Sequence, residues 1–237
     1  MDMRQYRITL TGASALLMHA DNLEWSTKME RWTAEPENKR VSKAGDDRTP
    51  AWRWLGNLYH DEEYIGLPSD NLMTVLREGG AKVPVPGKKG QTYKRQSQSG
   101  IIVNELLWPL FPGRMATTKN DEMLIVYPGP LAAKPLMALQ EEKDFARHEA
   151  AAVEAGFTLF LKRAKIGMAK HVRVRPRFDY WQASGTVTVF DESISLLVLQ
   201  GIMDMAGQYC GLGDWRPSSP SKPGPWGRFT TVVKEQS

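Results

Sequence analysis

Only one cysteine, Cys210, occurs in 237 residues. A single thiol excludes an intrachain disulfide framework and any zinc site built on several cysteines, and it points to a reducing cytoplasm. Long apolar runs are also missing. Stretches such as Ile194–Leu199 are far too short to cross a bilayer, so no membrane partner is expected. The opening Met1-Asp2-Met3-Arg4-Gln5-Tyr6 has no basic region followed by an apolar stretch, and no secretory signal is predicted. The four histidines (His19, His60, His148 and His171) lack the spacing of metal ligands, and no metal or cofactor is expected.

What is present is a folding composition, with 41% hydrophobic and 24% charged residues. The net charge is +4, unevenly placed. Between Lys82 and Asp179 there are seventeen Lys or Arg against nine Asp or Glu. Such an excess favours polyanions, its plain alternative being a solvated surface.

Hydrophobic periodicity gives the organisation. Tyr6, Ile8 and Leu10 alternate with Arg7, Thr9 and Thr11, as in a half-buried strand. Residues 20 to 50 are polar and mixed in charge, an excursion. Pro68-Ser69 opens a short helix with Ser69 as N-cap, a stripe of Leu72, Val75 and Leu76, and a stop at Gly79-Gly80. Residues 84 to 100 predict an exposed, mobile basic loop. Strands are expected at 101–108 and 122–127, and a helix at 138–155. Alternation returns in His171–Arg177 and in Thr186–Val189, and the two runs are expected to pair as a hairpin. Ser193 or Ser195 caps a helix carrying Leu196, Leu199, Ile202, Met203 and Ala206, and Phe229–Val233 forms a last strand. The predicted fold is therefore α+β: one ferredoxin-like βαββαβ domain over residues 1–237. Large insertions at about 20–60 and 84–165 would form thumb or finger subdomains.

The most specific motif is Gly211-Leu212-Gly213-Asp214-Trp215-Arg216-Pro217, followed by Pro223-Gly224-Pro225-Trp226-Gly227-Arg228-Phe229. Arg216 stands where a dinucleotide fingerprint needs its third glycine, and the helix-to-strand context is reversed. An ordinary long turn is one reading. The other is a loop whose glycines bring backbone amides to an anion, with Arg216 and Arg228 adding charge and Trp215 and Trp226 stacking on bases.

A glycine-rich loop between the second helix and last strand of such a fold resembles the RAMP superfamily, which supplies backbone subunits of CRISPR effector complexes. Ala15-Leu16-Leu17-Met18-His19 and Arg173-Val174-Arg175-Pro176-Arg177-Phe178 are similar to segments of RAMP-like proteins encoded by phages and prophages. The likeness covers roughly residues 4 to 19, 64 to 80 and 168 to 233. It implies binding of single-stranded nucleic acid without sequence readout, self-assembly along the strand, and a bacterial cytoplasmic setting.

Independently of any family, period two places His171, Arg173, Arg175 and Arg177 on one strand face, exposed and suited to phosphate, with Arg7 and Thr9 as neighbours. Lys88, Lys89, Lys94 and Arg95, with Lys82 and Tyr93, have the composition of a nucleic-acid-binding arm. Pro86–Thr92 lacks the spacing of a phosphate-binding loop, and His60-Asp61-Glu62 lacks the cysteine pair of a deaminase. Asp61, Glu62 and Glu63 read as a solvated acidic turn, and Trp25, Trp32, Trp52 and Trp54 mostly as core or subunit interface. The expected function is non-enzymatic: a homo-oligomer coating single-stranded nucleic acid. The candidate residues are Arg173, Arg175, Arg177, Lys88, Lys89, Lys94, Arg95, Gly211, Gly213, Trp215, Arg216 and Arg228. The alternatives are a RAMP-type endoribonuclease using His19 or His171, and a phage protein that contacts only other proteins. RNA and DNA stay open, because backbone and stacking contacts serve both.

Overall fold

The computed structural model describes residues 3–39, 49–166, 169–220 and 222–236, with side chains described for all of these except 39 and 162–172. In chain order the strands are β1 (Arg4–Gly12), β2 (Leu16–Leu17), β3 (Gly66–Pro68), β4 (Ile101–Val103), β5 (Leu107–Pro112), β6 (Arg114–Thr117), β7 (Met123–Val126), β8 (Thr158–Ile166), β9 (Ala169–Phe178), β10 (Trp181–Val189) and β11 (Phe229–Gln236). The helices are α1 (Leu23–Ala34), α2 (Pro36–Lys39), α3 (Ser69–Gly80), α4 (Lys94–Ser99), α5 (Lys134–Met137), α6 (Phe145–Glu154) and α7 (Leu196–Met205).

The result is a mixed α+β protein with antiparallel sheets. Its main sheet runs β11-β1-β10-β5-β3, with β4 also on β10. Alternation explains the central strands. Tyr6, Ile8 and Leu10 on β1 are buried, and so are Trp181, Ala183, Val187 and Val189 on β10. Across from them in the register stand Val233 on β11 and Gly185 on β10. A β-carbon at Gly185 would collide with the Trp108 indole, so glycine makes room for a large core side chain. The other face is hydroxyl-rich, with Thr9 bonded to Ser184 and Gln182 to Thr11. Among the described residues, no helix is long and apolar enough to cross a membrane.

α3 and α7 complete this core through Leu72, Val75 and Leu76, and through Leu199, Ile202 and Met203. Ser195 caps α7 as expected, its hydroxyl accepting from the Val198 N–H. Two details of α3 differ from expectation. Pro68 precedes the helix without a side-chain cap, and Ser69 is its first residue. Gly79 and Gly80 lie inside the last turn, because a β-carbon at Gly79 would strike the Ile202 carbonyl and Ala206 of the α7 region. They serve helix–helix approach. Gln200 on α7 reaches the outer edge of β11. Its Nε2 donates to the Thr231 carbonyl at 3.1 Å, and its Oε1 accepts from the Val233 N–H at 3.0 Å.

The expected hairpin between 171–177 and 186–189 does not form. β9 pairs with β8 and β2 in a separate three-stranded sheet. Both edges of β10 are occupied, by β1 on one side and by β4 and β5 on the other. The chain bends at Asp179–Tyr180 and changes sheet. Arg7 and Thr9, in the main sheet, consequently do not join the β9 arginines. The segment after α3 is ordered: Val85 N–H donates to Gln91, Tyr93 N–H donates to Val83, and Tyr93 and Ser97 are buried. Tyr93 is thus core and not part of an exposed arm. His148 is core as well. Its Nδ1 accepts from the Trp54 indole at 3.0 Å and its Nε2 reaches the Glu142 carbonyl at 3.0 Å.

Candidate nucleic-acid interface

β8 and β9 form an antiparallel ribbon whose register runs from Thr158↔Arg177 to Ile166↔Ala169. It carries Lys162, Arg163, Lys165, Lys170, Arg173, Arg175 and Arg177, and no Asp or Glu between 158 and 178. The backbone register sets Lys162 opposite Arg173 and Lys165 opposite Lys170. The side chain of His171 lies outside the described residues.

At the base of the ribbon the three arginines have different surroundings. Arg175, expected on an exposed face, is only 6% exposed. Its Nε donates to Asp214 Oδ2 at 2.9 Å and an Nη to Asn57 Oδ1 at 2.8 Å. Asn57 in turn donates to the Val174 carbonyl. The polar face of β9 is covered because the glycine-rich loop and the 3₁₀ segment Ala51–Asn57 pack over it. Arg177 is half-exposed, pairs with Asp179 at 2.6 Å, and sits 5.2 Å from the Trp226 ring centroid. Arg173 is half-buried and makes no hydrogen bond or ion pair among the described residues.

The glycine-rich loop is held to the body by its own backbone. Asp214 N–H donates to the Leu17 carbonyl, Leu212 N–H to Gly227 and Gly227 N–H to Ala15. Gly211 and Gly213 have φ of 68° and 76°. A β-carbon on Gly213 would collide with the Leu17 carbonyl, so close packing against β2 demands glycine there. The loop delivers Trp215 and Trp226 to Phe160 of β8, at centroid distances of 6.4 and 5.8 Å. Arg216 and Arg228 have structural partners. Arg216 bonds Ser218 and lies 3.6 Å from Glu78, and Arg228 reaches the Gln208 carbonyl.

Lys88, Lys89, Lys94 and Arg95 are exposed but lie elsewhere. α4 leads into β4, which pairs with the Val189 end of β10, whereas β9 leads into the Trp181 end. The nine residues of β10 separate the two groups by about 27 Å at 3.4 Å per step. The fold therefore does not unite the basic loop with the basic strand.

A cleft of about 390 Å³ opens beside the ribbon base, lined by Arg173, Arg175, Arg53, His19, Trp25 and Trp52 among others. Burial, with Arg175 and Arg173 nearby, holds the His19 imidazole below its ordinary pKa, although Asp214 and Asp21 pull the other way. Arg53 and Arg175 are lowered too, chiefly by burial. Sequence reasoning missed Lys162, Arg163, Lys165, Lys170, Arg53 and Asn57. The alternation of Thr158-Leu159-Phe160-Leu161-Lys162 was the signal for β8, but nothing local says that this strand pairs with β9. No protein-family profile matches the chain, and no curated protein matches its sequence.

Proposed function

We propose that this chain binds single-stranded nucleic acid without reading its sequence, as a non-enzymatic protein that assembles with copies of itself along the strand. The observation that carries it is the β8–β9 ribbon, rich in Lys and Arg and free of carboxylates, with Phe160, Trp215 and Trp226 beside its base. Basic side chains follow a phosphate backbone, and aromatic faces accept any base. A ferredoxin-like core of RAMP type fits the same reading. Support comes from the order β11-β1-β10-β5, with α3 between β1 and β5 and α7 between β10 and β11. In that scheme residues 113–180, including the ribbon, are inserted between the second and third core strands of a single domain.

The test is fluorescence anisotropy with short labelled RNA, single-stranded DNA and duplex of mixed sequences, over a range of salt. Single strands should bind irrespective of sequence, with affinity falling as salt rises. Tighter binding to duplex, or no binding to any of them, overturns the proposal.

A second reading, metal-independent RNA cleavage, is favoured by one observation: the His19 imidazole lies in a cleft that also contains Arg173, and burial holds its pKa below the ordinary value. An imidazole with a lowered pKa beside the Arg173 guanidinium suits a general base. Shortening of the labelled RNA without magnesium, abolished by His19→Ala, would establish it in place of the binding-only function.

A further inference from the structure

The cleft beside β9 has a definite inventory of polar groups, and most are already committed to the fold. Asn22 Oδ1 accepts from the N–H groups of Glu24 and Trp25, capping α1. Ser26 donates to the Asn22 carbonyl. Asn57 holds Arg175 and the Val174 carbonyl, and Arg175 is further held by Asp214. Arg53 donates to Thr49. Three of the ionisable side chains lining the cleft make no hydrogen bond or ion pair among the described residues: the Arg173 guanidinium, the His19 imidazole and the Asp21 carboxylate.

These three ask for different things from a ligand. Arg173 offers only donors in a planar fork, which matches a phosphate. Asp21, ionised, offers only acceptors, and in a pocket for an anion alone it would be a liability. It becomes useful if the ligand also presents a hydroxyl. His19 offers one donor and one acceptor when neutral. Trp25, Trp52 and Met29 make the remaining wall largely apolar. The volume, about 390 Å³, falls in the range of small-molecule pockets.

Resting on the nucleic-acid reading above, we infer that this cleft holds one ribonucleotide unit, its phosphate on Arg173, its ribose 2′-hydroxyl on the Asp21 carboxylate, and its base against the Trp25–Trp52 wall. The 2′-hydroxyl is the donor that RNA has and DNA lacks. The ribonucleotide gains a hydrogen bond to this carboxylate that the deoxy analogue cannot make, and on the exposed carboxylate water takes its place. The bound strand is therefore RNA.

Calorimetric titration of the full chain with adenosine 5′-monophosphate and its 2′-deoxy analogue tests this. The ribonucleotide should bind about tenfold tighter, a modest discrimination in keeping with an acceptor at the rim of an open cleft. Asp21→Ala should bring the two ligands to parity, with Asp21→Asn as a second variant of similar shape. Arg173→Ala should weaken both. Equal binding by the native protein, or a preference that survives both Asp21 variants, overturns the inference. If oligonucleotides bind but neither mononucleotide does, the cleft assignment falls and the strand-binding function stands. If nothing binds, both fall.

Discussion

Arg175 and Asp214, 39 residues apart in sequence, meet at 2.9 Å, and this ion pair ties the glycine-rich loop to the basic ribbon. Asn57 closes the other side of the same guanidinium. A charge taken this far out of water is tolerated because all its neighbours are arranged around it, so it belongs to the folded body.

Breaking that arrangement should unfold the protein more easily. Arg175→Ala leaves Asp214 and Asn57 without their partner and is expected to cost about 3 kcal/mol, the low end for a broken buried pair. Arg173→Ala, by contrast, removes a guanidinium with no hydrogen-bond or ion-pair partner among the described residues and should change stability by about 0.5 kcal/mol or less while weakening nucleic-acid binding. Urea melts of the two variants check this. A native-like midpoint for Arg175→Ala would show that the pair holds nothing together.

The ribbon should account for the salt dependence. If Lys162 and Lys165 each neutralise one phosphate, their joint replacement by alanine lowers the slope of log affinity against log salt by about 1.4, from about 0.7 per phosphate on single strands. Replacing Lys94 and Arg95, some 27 Å away along β10, tests whether the strand extends that far. An unchanged slope in the ribbon variant would remove the ribbon from the interface.

Gly213→Val should act on folding and not on the ligand. The residue has φ of 76°, and its missing β-carbon is what lets the Leu17 carbonyl approach. The backbone conformation alone costs about 1–2 kcal/mol for a side-chain-bearing residue, and the collision adds to it. Melting temperature should fall sharply, and affinity should fall only as far as the folded fraction does. A variant with native stability and lost binding would return this glycine to the ligand site.

His19 gives the pH dependence. Its folded pKa lies below the unfolded value near 6.5, first through burial and then through Arg175 and Arg173. The unfolded chain therefore takes up this proton first. The contribution is complete above about pH 6.5 and is lost as pH falls toward the lowered folded value. The stability difference between the native protein and His19→Gln should narrow over that window. A phosphate in the cleft favours the protonated ring, so binding there should take up protons at mildly acidic pH. Calorimetry in buffers of different ionisation enthalpy measures that uptake, and none would place the ligand away from His19.

Much of the main sheet was legible in the sequence, because one buried face writes itself as alternation. Tyr6-Ile8-Leu10 and Val187-Val189 are clear for that reason, and Ser195 announces α7 by its capping chemistry. What was not legible is partnership. The His171–Arg177 run alternates just as well, yet alternation records only that a strand has two unlike faces and says nothing of which neighbour it takes. The burial of Arg175 was hidden likewise. Its partners Asn57 and Asp214 come from segments far along the chain, and one of them arrives on a loop whose path depends on Gly213 lying against Leu17.

The Gln200 amide occupies the middle of the rim of β11 much as a neighbouring strand would. Two backbone groups that could recruit another chain are satisfied from within, so the sheet stops growing there. If copies gather on one polymer as proposed, their local concentration is high, and an open rim would invite edge-to-edge pairing of sheets. With those two groups taken, contacts between copies in such an assembly would fall to side-chain surfaces, which separate more readily than paired strands.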